Sequence, residues 1–311
     1  SKSRSVAHTS DSQLGDYDNC NLSTTKELSP SLDLFLRHDF NEKNSLEAQI
    51  VGTLSSSDYR RDNNYFFPDA TEESYIMNVD SRRRSLISEI SYIHSFSERA
   101  SLSAGYQNTV SNSTNTYLSS DYKPVLTENN NYAYLRLGQQ VGKFYFAVAT
   151  GAKMFWINND VNRRHFVRNL SSAQISWSVS QAWSLQGTFR YSPSIPSLTA
   201  LTDYPQQTTP YLISNGNPDL KVAENFLYSI GADYSYRKLQ ASFRCVYSNT
   251  NNSVVSDVTY MGDGHFLSQS VNVRYGRVFR NDLTMRISGI SGFGANLYLC
   301  LCHYQTAGAD W

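Results

Sequence analysis

The sequence predicts an all-β fold, namely an antiparallel up-and-down transmembrane β-barrel that is partial. Three observations lead to this prediction: polar and apolar residues alternate along many segments, tight turns recur, and long polar connections lie between the hairpins. Alternation with a period of two indicates strands, because successive side chains leave a pleated backbone on opposite faces.

The first hairpin shows the repeating unit. Apolar residues occupy every second position from Leu32 to Leu36, a four-residue link follows at 41–44, and the alternation resumes from Leu46 to Leu54. Turns of the same kind are predicted within 96–104, 141–144, 179–187, 236–241 and 279–285. With two strands for each turn, this spacing predicts about twelve strands in six hairpins.

The connections at the other ends of the hairpins are long and polar. They are predicted at 56–83, 111–129, 158–167, 192–222 and 249–265. Aromatic residues stand beside the short turns, namely Phe40, Phe96, Phe144, Trp183, Tyr236 and Phe279. Short turns at one end, long loops at the other and an aromatic girdle are typical of outer-membrane barrels.

The composition excludes several other classes of protein. The chain has 27 acidic and 27 basic residues among 311, so its net charge favours neither nucleic acid nor anionic lipid. Mean hydropathy is −0.46, and no apolar run reaches the length of a membrane helix. A spanning barrel strand needs only about ten residues of alternating polarity.

The two faces of the strands differ in a way that suits a wet lumen and a lipid-facing exterior. One face carries Ser, Thr, Gln, Asn and isolated charges, and the other carries apolar or small residues. We therefore expect four residues to face lipid: Ala48, Ala104, Phe243 and Met285. Their neighbours should face the lumen: Gln49, Ser103, Arg244 and Arg286.

The stretch from Gln186 to Tyr236 has two alternating segments separated by about thirty residues without periodicity, far longer than a median loop of about 4–6 residues. Turn residues cluster near its end, at Asn215-Gly216-Asn217-Pro218. Arg190-Tyr191-Ser192-Pro193-Ser194-Ile195-Pro196-Ser197 and Gly216-Asn217-Pro218-Asp219-Leu220-Lys221 resemble the barrel region of TonB-dependent outer-membrane receptors of the Bacteroidetes type. Ile195 stands where that family usually has Arg, and Val222-Ala223-Glu224 replaces its usual Pro-Glu.

The resemblance implies uptake of a nutrient (a glycan, a siderophore or a peptide) across the bacterial outer membrane. The implied partners are outer-membrane lipid, a plug domain, an energising inner-membrane TonB-type complex and a surface lipoprotein, with no nucleic acid. We expect only the barrel region here, as a fragment in an open curved sheet. Residues 1–29 are expected to be a polar loop or strand remnant, 30–290 the barrel region, and 291–311 an irregular, truncated end.

No catalytic, cofactor-binding or metal site is predicted, and we expect no enzymatic activity. Cys300, Cys302 and His303 lack the spacing of a common zinc site. The candidate ligand contacts are aromatic residues of the long loops: Tyr65, Phe66, Phe67, Tyr204 and Tyr211.

Two other functions remain open at this point. A soluble all-β adhesin or glycan-binding module would use exposed Tyr and Asn as sugar platforms. A passive outer-membrane porin would share the alternating strands. Dependence on detergent separates the receptor from the adhesin, and a plug-encoding region separates it from the porin.

Overall fold

The computed structural model describes residues 2–9, 17–69, 71–118, 122–159, 163–209, 211–262, 264–290 and 293–307. The strands are β1 Lys2–Thr9, β2 Tyr17–Leu28, β3 Ser31–Asn41, β4 Asn44–Phe66, β5 Glu72–Ser97, β6 Ala100–Tyr117, β7 Val125–Val141, β8 Phe144–Asn159, β9 Arg163–Ser178, β10 Trp183–Ser194, β11 Gln206–Thr209, β12 Leu212–Asn215, β13 Ala223–Tyr236, β14 Leu239–Tyr260, β15 Phe266–Ile290 and β16 Phe293–Thr306. The single helix in these ranges is α1, Leu198–Leu201.

These strands form one sheet, in which neighbours follow the chain from β4 to β10 and from β13 to β15. Each of these neighbouring pairs is antiparallel, including β10 with β13. The exception elsewhere is β12, which pairs parallel with β15. The predicted all-β, up-and-down antiparallel fold is confirmed.

Five predicted tight turns are also confirmed, and they define what we call the inner end of the sheet. Strands end and restart across 41–44, 97–100, 141–144, 178–183 and 236–239. In the turn after β13, Arg237 has a φ of 52°. Positive φ is the conformation that a two-residue hairpin loop requires. The opposite end of the sheet is called the outer end.

The sixth predicted turn, at 279–285, is wrong. These residues lie inside β15, where Phe279 pairs with Tyr247 and Met285 pairs with Ala241 on β14. Arg280 and Asp282 share one face of the strand and form an ion pair at 2.8 Å. Two of the polar residues that suggested a turn, Arg280 and Asp282, therefore lie on one side of the strand, and Asn281 lies on the other.

The estimate of about twelve strands is too low, partly because the first 29 residues contain β1 and β2. β2 and β3 pair one after the other with β4, so they form one long strand interrupted beside Pro30. The expectation of a polar loop is therefore wrong for Lys2–Thr9 and Tyr17–Leu28. Residues 10–16 lie outside the described residues.

The expectation of an irregular C-terminal stretch is wrong for Phe293–Thr306. β16 pairs antiparallel with β15 along this range, with His303 opposite Phe279 and Thr306 opposite Gly276. Backbone pairing with β15 holds the strand although its side chains from Leu297 to Cys302 do not alternate cleanly. Residues 291, 292 and 308–311 lie outside the described part.

Most of the predicted long loops are extensions of strands. β4 runs to Phe66 and β5 begins at Glu72, so most of the predicted loop 56–83 is paired backbone. The same holds at 111–129 and 249–265, where polar residues continue the ladders. The connection after Ser194 is different, because it leaves the ladder until Ala223.

The sheet is open in the described residues, as expected. β1 pairs there only with β2, and β16 pairs only with β15. The segment 195–222 contacts one face of the sheet on strands from β4 to β15, so the sheet curves around this face. We call it the lumenal face.

Side-chain parity places the predicted lumen residues on this face. Asn63 of β4 contacts the segment, and Gln49 has the same parity on that strand. A continuous cross-strand row then runs over the lumenal face through Gln49, Glu89, Gln107, Tyr132, Lys153 and Arg168. Ala48 and Ala104 have the opposite parity and lie on the outer face.

Candidate functional site

The candidate site is the outer end of the lumenal face, which is covered by residues 195–222. We call these residues the crossing segment. It begins after Ser194 of β10 and ends before Ala223 of β13, two residues that are direct cross-strand partners. A two-residue turn would be enough to join them, so the segment is an insertion that folds back over the lumen.

The first part of the crossing segment is anchored by α1. The Ser197 hydroxyl caps this helix by accepting from the Ala200 amide at 3.3 Å. Leu198 is buried in one cluster with Leu126 of β7 and Ile157 of β8. This cluster fixes the helix against the sheet.

The turn Gly216-Asn217-Pro218 packs against the end of the helix. The Gly216 amide donates to the Thr202 carbonyl at 3.1 Å, and the Asn217 amide donates to the Ala200 carbonyl at 2.7 Å. A Cβ atom on Gly216 would lie 2.2 Å from the Thr202 oxygen. Only glycine permits this approach without a backbone shift.

Arg164 on β9 fixes the other side of the same turn. Its guanidinium donates to the Leu220 carbonyl at 2.6 Å and also to the Pro218 carbonyl. Asp219 lies 3.8 Å from the same guanidinium. Leu220 is 1% exposed, so this carbonyl lies beside a buried side chain.

The crossing segment also pairs with β15. Asn217 donates from Nδ2 to the Ser270 carbonyl at 3.1 Å, and Asn272 accepts from the Lys221 amide at 2.6 Å. β12 adds a parallel ladder in which Leu212 is opposite Phe266. The segment is thus joined to the strand on the far side of the sheet.

β11 of the crossing segment contacts β4 and β5. The Thr208 carbonyl accepts from Asn63 Nδ2 at 3.1 Å and from the Tyr65 hydroxyl at 3.5 Å, both on β4. Gln207 donates from Nε2 to the Tyr75 hydroxyl on β5 at 3.3 Å. The crossing segment therefore spans the outer opening from β4 and β5 to β15.

Four of the five predicted ligand contacts lie in two aromatic clusters at this segment. Tyr65, Phe67 and Tyr211 surround Tyr17, with ring centroids at 5.7, 5.9 and 6.5 Å from it. Burial, followed by the charges of Glu73 and Tyr17, raises the pKa of the Tyr211 hydroxyl.

The second cluster contains Tyr204, another of the predicted ligand contacts. Tyr204 stacks on Tyr122 at 4.6 Å and lies 5.1 Å from Tyr117. Phe66 belongs to neither cluster. Its side chain is exposed to solvent, whereas the neighbouring Tyr65 is buried, with 2% of its surface exposed. Four of the five predicted residues thus pack around the crossing segment, and Phe66 alone among them is presented to solvent.

Sequence reasoning missed the sheet residues that hold the segment: Asn63, Arg164, Ser270 and Asn272. They lie 51 to 145 residues from their partners in the chain. Polar residues on the lumenal face of a strand carry no local signal of such a contact. The Gly-Asn-Pro-Asp-Leu motif was the available signal. It identified the turn in the crossing segment but not the sheet residues that contact this turn.

Below the crossing segment the lumenal face is polar. The Glu89 carboxylate accepts from the Tyr134 hydroxyl at 2.5 Å and from Gln107 Nε2 at 2.9 Å. Arg136 and Arg190 line a groove of roughly 490 Å³ with Gln174 and Thr188. This surface can hydrogen-bond a polar solute and contribute positive charge.

Within the described ranges, no group of three or more His, Cys, Asp and Glu is placed to hold a metal ion. The one helix found there is too short to cross a membrane.

The model of the outer membrane protein beta-barrel family matches residues 38–309. A comparison with curated proteins finds no match.

Solved structures share the fold at low identity. The copper transporter OprC is 10% identical with a TM-score of 0.63, over 98% of this chain and 59% of that chain. The siderophore receptor PiuA from Acinetobacter baumannii is 11% identical with a TM-score of 0.61, over 94% and 48%. The FrpB iron transporter from Neisseria meningitidis is 9% identical with a TM-score of 0.53, over 96% and 54%. The chain thus spans about half the length of these structures.

Proposed function

Because the chain belongs to the outer membrane protein beta-barrel family, we propose that it is the barrel region of a receptor that imports a nutrient across the outer membrane. The nutrient is a glycan, a siderophore or a peptide, and the role is transport rather than catalysis. The family places the protein in the outer membrane, which rules out the soluble adhesin.

The observation that carries this proposal is the covered outer opening. The crossing segment is hydrogen-bonded to β4 through Asn63, to β9 through Arg164 and to β15 through Ser270. A passive pore needs an open path for solutes, whereas a receptor keeps its lumen closed until a ligand is captured. The cover therefore favours the receptor over the porin.

Solved structures that share this fold support the proposed import function. FrpB is an iron transporter, OprC a copper transporter, and PiuA a siderophore receptor. We infer that the present chain also takes up a scarce or large nutrient, through the polar lumenal groove beside Arg136 and Arg190.

The proposed partners follow from the membrane and the transport role. Lipid contacts the outer face, and an unpaired strand edge costs several kcal/mol per unsatisfied group in hydrocarbon, so we expect both edges of the sheet to be paired in the membrane. A plug domain, an energising TonB-type complex and a surface lipoprotein are the proposed protein partners.

An uptake assay tests this function. Cells that produce the protein and cells that lack it are given labelled maltooligosaccharides, a ferric siderophore or oligopeptides, with and without a protonophore. We expect producing cells to accumulate one of these classes, and the protonophore to abolish that accumulation because the energy comes from the inner membrane.

The porin alternative makes a different prediction in the same assay. A porin would admit small sugars at a rate that the protonophore leaves unchanged. Energy-independent entry of small sugars, or equal accumulation of all three classes with and without the protein, would contradict the receptor.

A further inference from the structure

The outer face of the sheet, which points away from the lumen, carries an apolar groove. The groove lies close to the short turns. Its walls are six side chains from β8 to β14: Phe144, Ile175, Trp177, Leu185, Ile230 and Phe243. Its volume is roughly 420 Å³, within the range of small-molecule sites. Gly187 and Ala232 form its floor, where larger side chains are missing.

Cross-strand register explains the shape of the groove. Trp177, Leu185 and Ala232 lie in one row, and Ile175, Gly187 and Ile230 lie in the next. The Trp183–Tyr234 ring pair borders the groove on the side of the short turns, with ring centroids 4.7 Å apart. The Phe189–Tyr228 ring pair borders the groove on the opposite side, with ring centroids 5.1 Å apart. These ring pairs border a recess in the wall rather than a smooth surface.

The turns beside the groove are positively charged. Lys143 donates from Nζ to the Val179 carbonyl at 2.9 Å, which holds the ammonium between two turns. Arg237 lies over the Tyr236 ring at 5.1 Å, and Lys238 is next in the same turn. No Asp or Glu occurs in 141–144, 178–183 or 236–239, whereas the other two confirmed turns carry Glu42 and Glu98.

We propose that this groove binds one anionic glycerophospholipid of the inner leaflet, because the short turns of an outer-membrane barrel face the periplasm. An acyl chain lies in the recess over Gly187, and the phosphate lies at the turns with Lys143 and Arg237. Ordinary lipid contacts on a barrel wall exchange freely. Here the ring pairs restrict the chain, and the cations select a negative headgroup. The site faces away from the lumen, so it stands independently of the transport proposal.

Native mass spectrometry tests the proposal on the full chain in nanodiscs of phosphatidylethanolamine with phosphatidylglycerol. We expect one phosphatidylglycerol to stay bound after the others dissociate. Gly187→Leu fills the recess and should remove this lipid. Gly52→Leu is the matched control, because Gly52 also lies on the outer face and a Cβ atom there would meet nothing within 4 Å, and it should keep the lipid.

Charge variants on exposed turns test the headgroup contact without altering the groove. Lys143→Gln and Arg237→Asn should each weaken retention about fivefold, since each removes one cation at the membrane surface. Asn tolerates the positive φ of position 237. Arg99→Gln, in a turn away from the groove, should have no effect.

Several outcomes would overturn the proposal. Retention in folded Gly187→Leu, equal retention of phosphatidylethanolamine and phosphatidylglycerol, or a second copy of the chain in place of the lipid would each do so. Unchanged binding in both charge variants would do so even if Gly187→Leu failed to fold.

Discussion

Gly216 lies directly against the Thr202 carbonyl, to which its amide donates at 3.1 Å. The contact joins the start and the end of the crossing segment, so the segment is a closed structure and not a free loop. A Cβ atom at position 216 would lie 2.2 Å from the Thr202 oxygen.

Gly216→Ala should therefore loosen the crossing segment. The added methyl group forces the two backbones apart, at a cost of about 1–3 kcal/mol for overpacking. Limited proteolysis of intact cells should cut within 195–222 faster than in the wild type. Gly52→Ala is the control, because its Cβ meets open space. Equal cleavage of the wild type and Gly216→Ala would show that this contact does not hold the segment.

Arg164→Ala should expose the turn at Leu220. The guanidinium is a donor to the Leu220 and Pro218 carbonyls, and leaving a buried acceptor unpaired costs about 1–3 kcal/mol. Hydrogen exchange of the amides from 216 to 222 should become faster. Arg163→Ala removes an adjacent exposed arginine and should leave these amides unchanged. Similar exchange rates in the two variants would contradict the anchoring role.

The two faces of β6 should respond differently to charge. Ala104→Arg places a cation on the outer face, which should cost about 2–4 kcal/mol if the residue lies near the bilayer midplane. Ser103→Arg places it on the lumenal face and should cost little. Spin labels at the same positions should report lipid at 104 and water at 103. Water contact at 104 or lipid at 103 would reverse the assignment.

Tyr134 should destabilise an alanine at position 105. A Cβ atom on Gly105 would lie 2.4 Å from Cζ of the Tyr134 ring, and this ring is held in place because its hydroxyl donates to the Glu89 carboxylate at 2.5 Å. Gly105→Ala should lower the free energy of unfolding by about 1–3 kcal/mol. The same substitution should cost much less in a Tyr134→Leu background, as measured by urea unfolding in detergent. An equal cost in both backgrounds would exclude the ring contact as the cause.

The repeating parts of the fold could be predicted from the sequence. Alternation around Ala48 and Gln49 gave the two faces, and the turn residues near Gly142 and Arg237 gave the hairpin ends. These signals are local, because side-chain period and turn geometry are set by neighbouring residues.

The candidate site was predicted only in part, because its contacts join distant residues. The Gly216-Asn217-Pro218 motif marked one anchor, but nothing near Arg164 or Asn272 indicates a partner more than fifty residues away. Strand ends were misplaced for a related reason. The polar residues of 56–66 resemble a loop, yet their backbone pairs with β5 and their lumenal side chains contact the crossing segment.

Single-channel conductance tests the central claim, that the crossing segment closes the outer opening. Because Ser194 is directly opposite Ala223, an Asn-Gly turn can replace 195–222 and keep the β10–β13 ladder. The control replaces 261–265 in the same way, between the paired residues Tyr260 and Phe266. In planar bilayers we predict little conductance for the wild type and the control, and a large, persistent conductance for the replacement of 195–222. The same conductance in all three proteins would contradict the account.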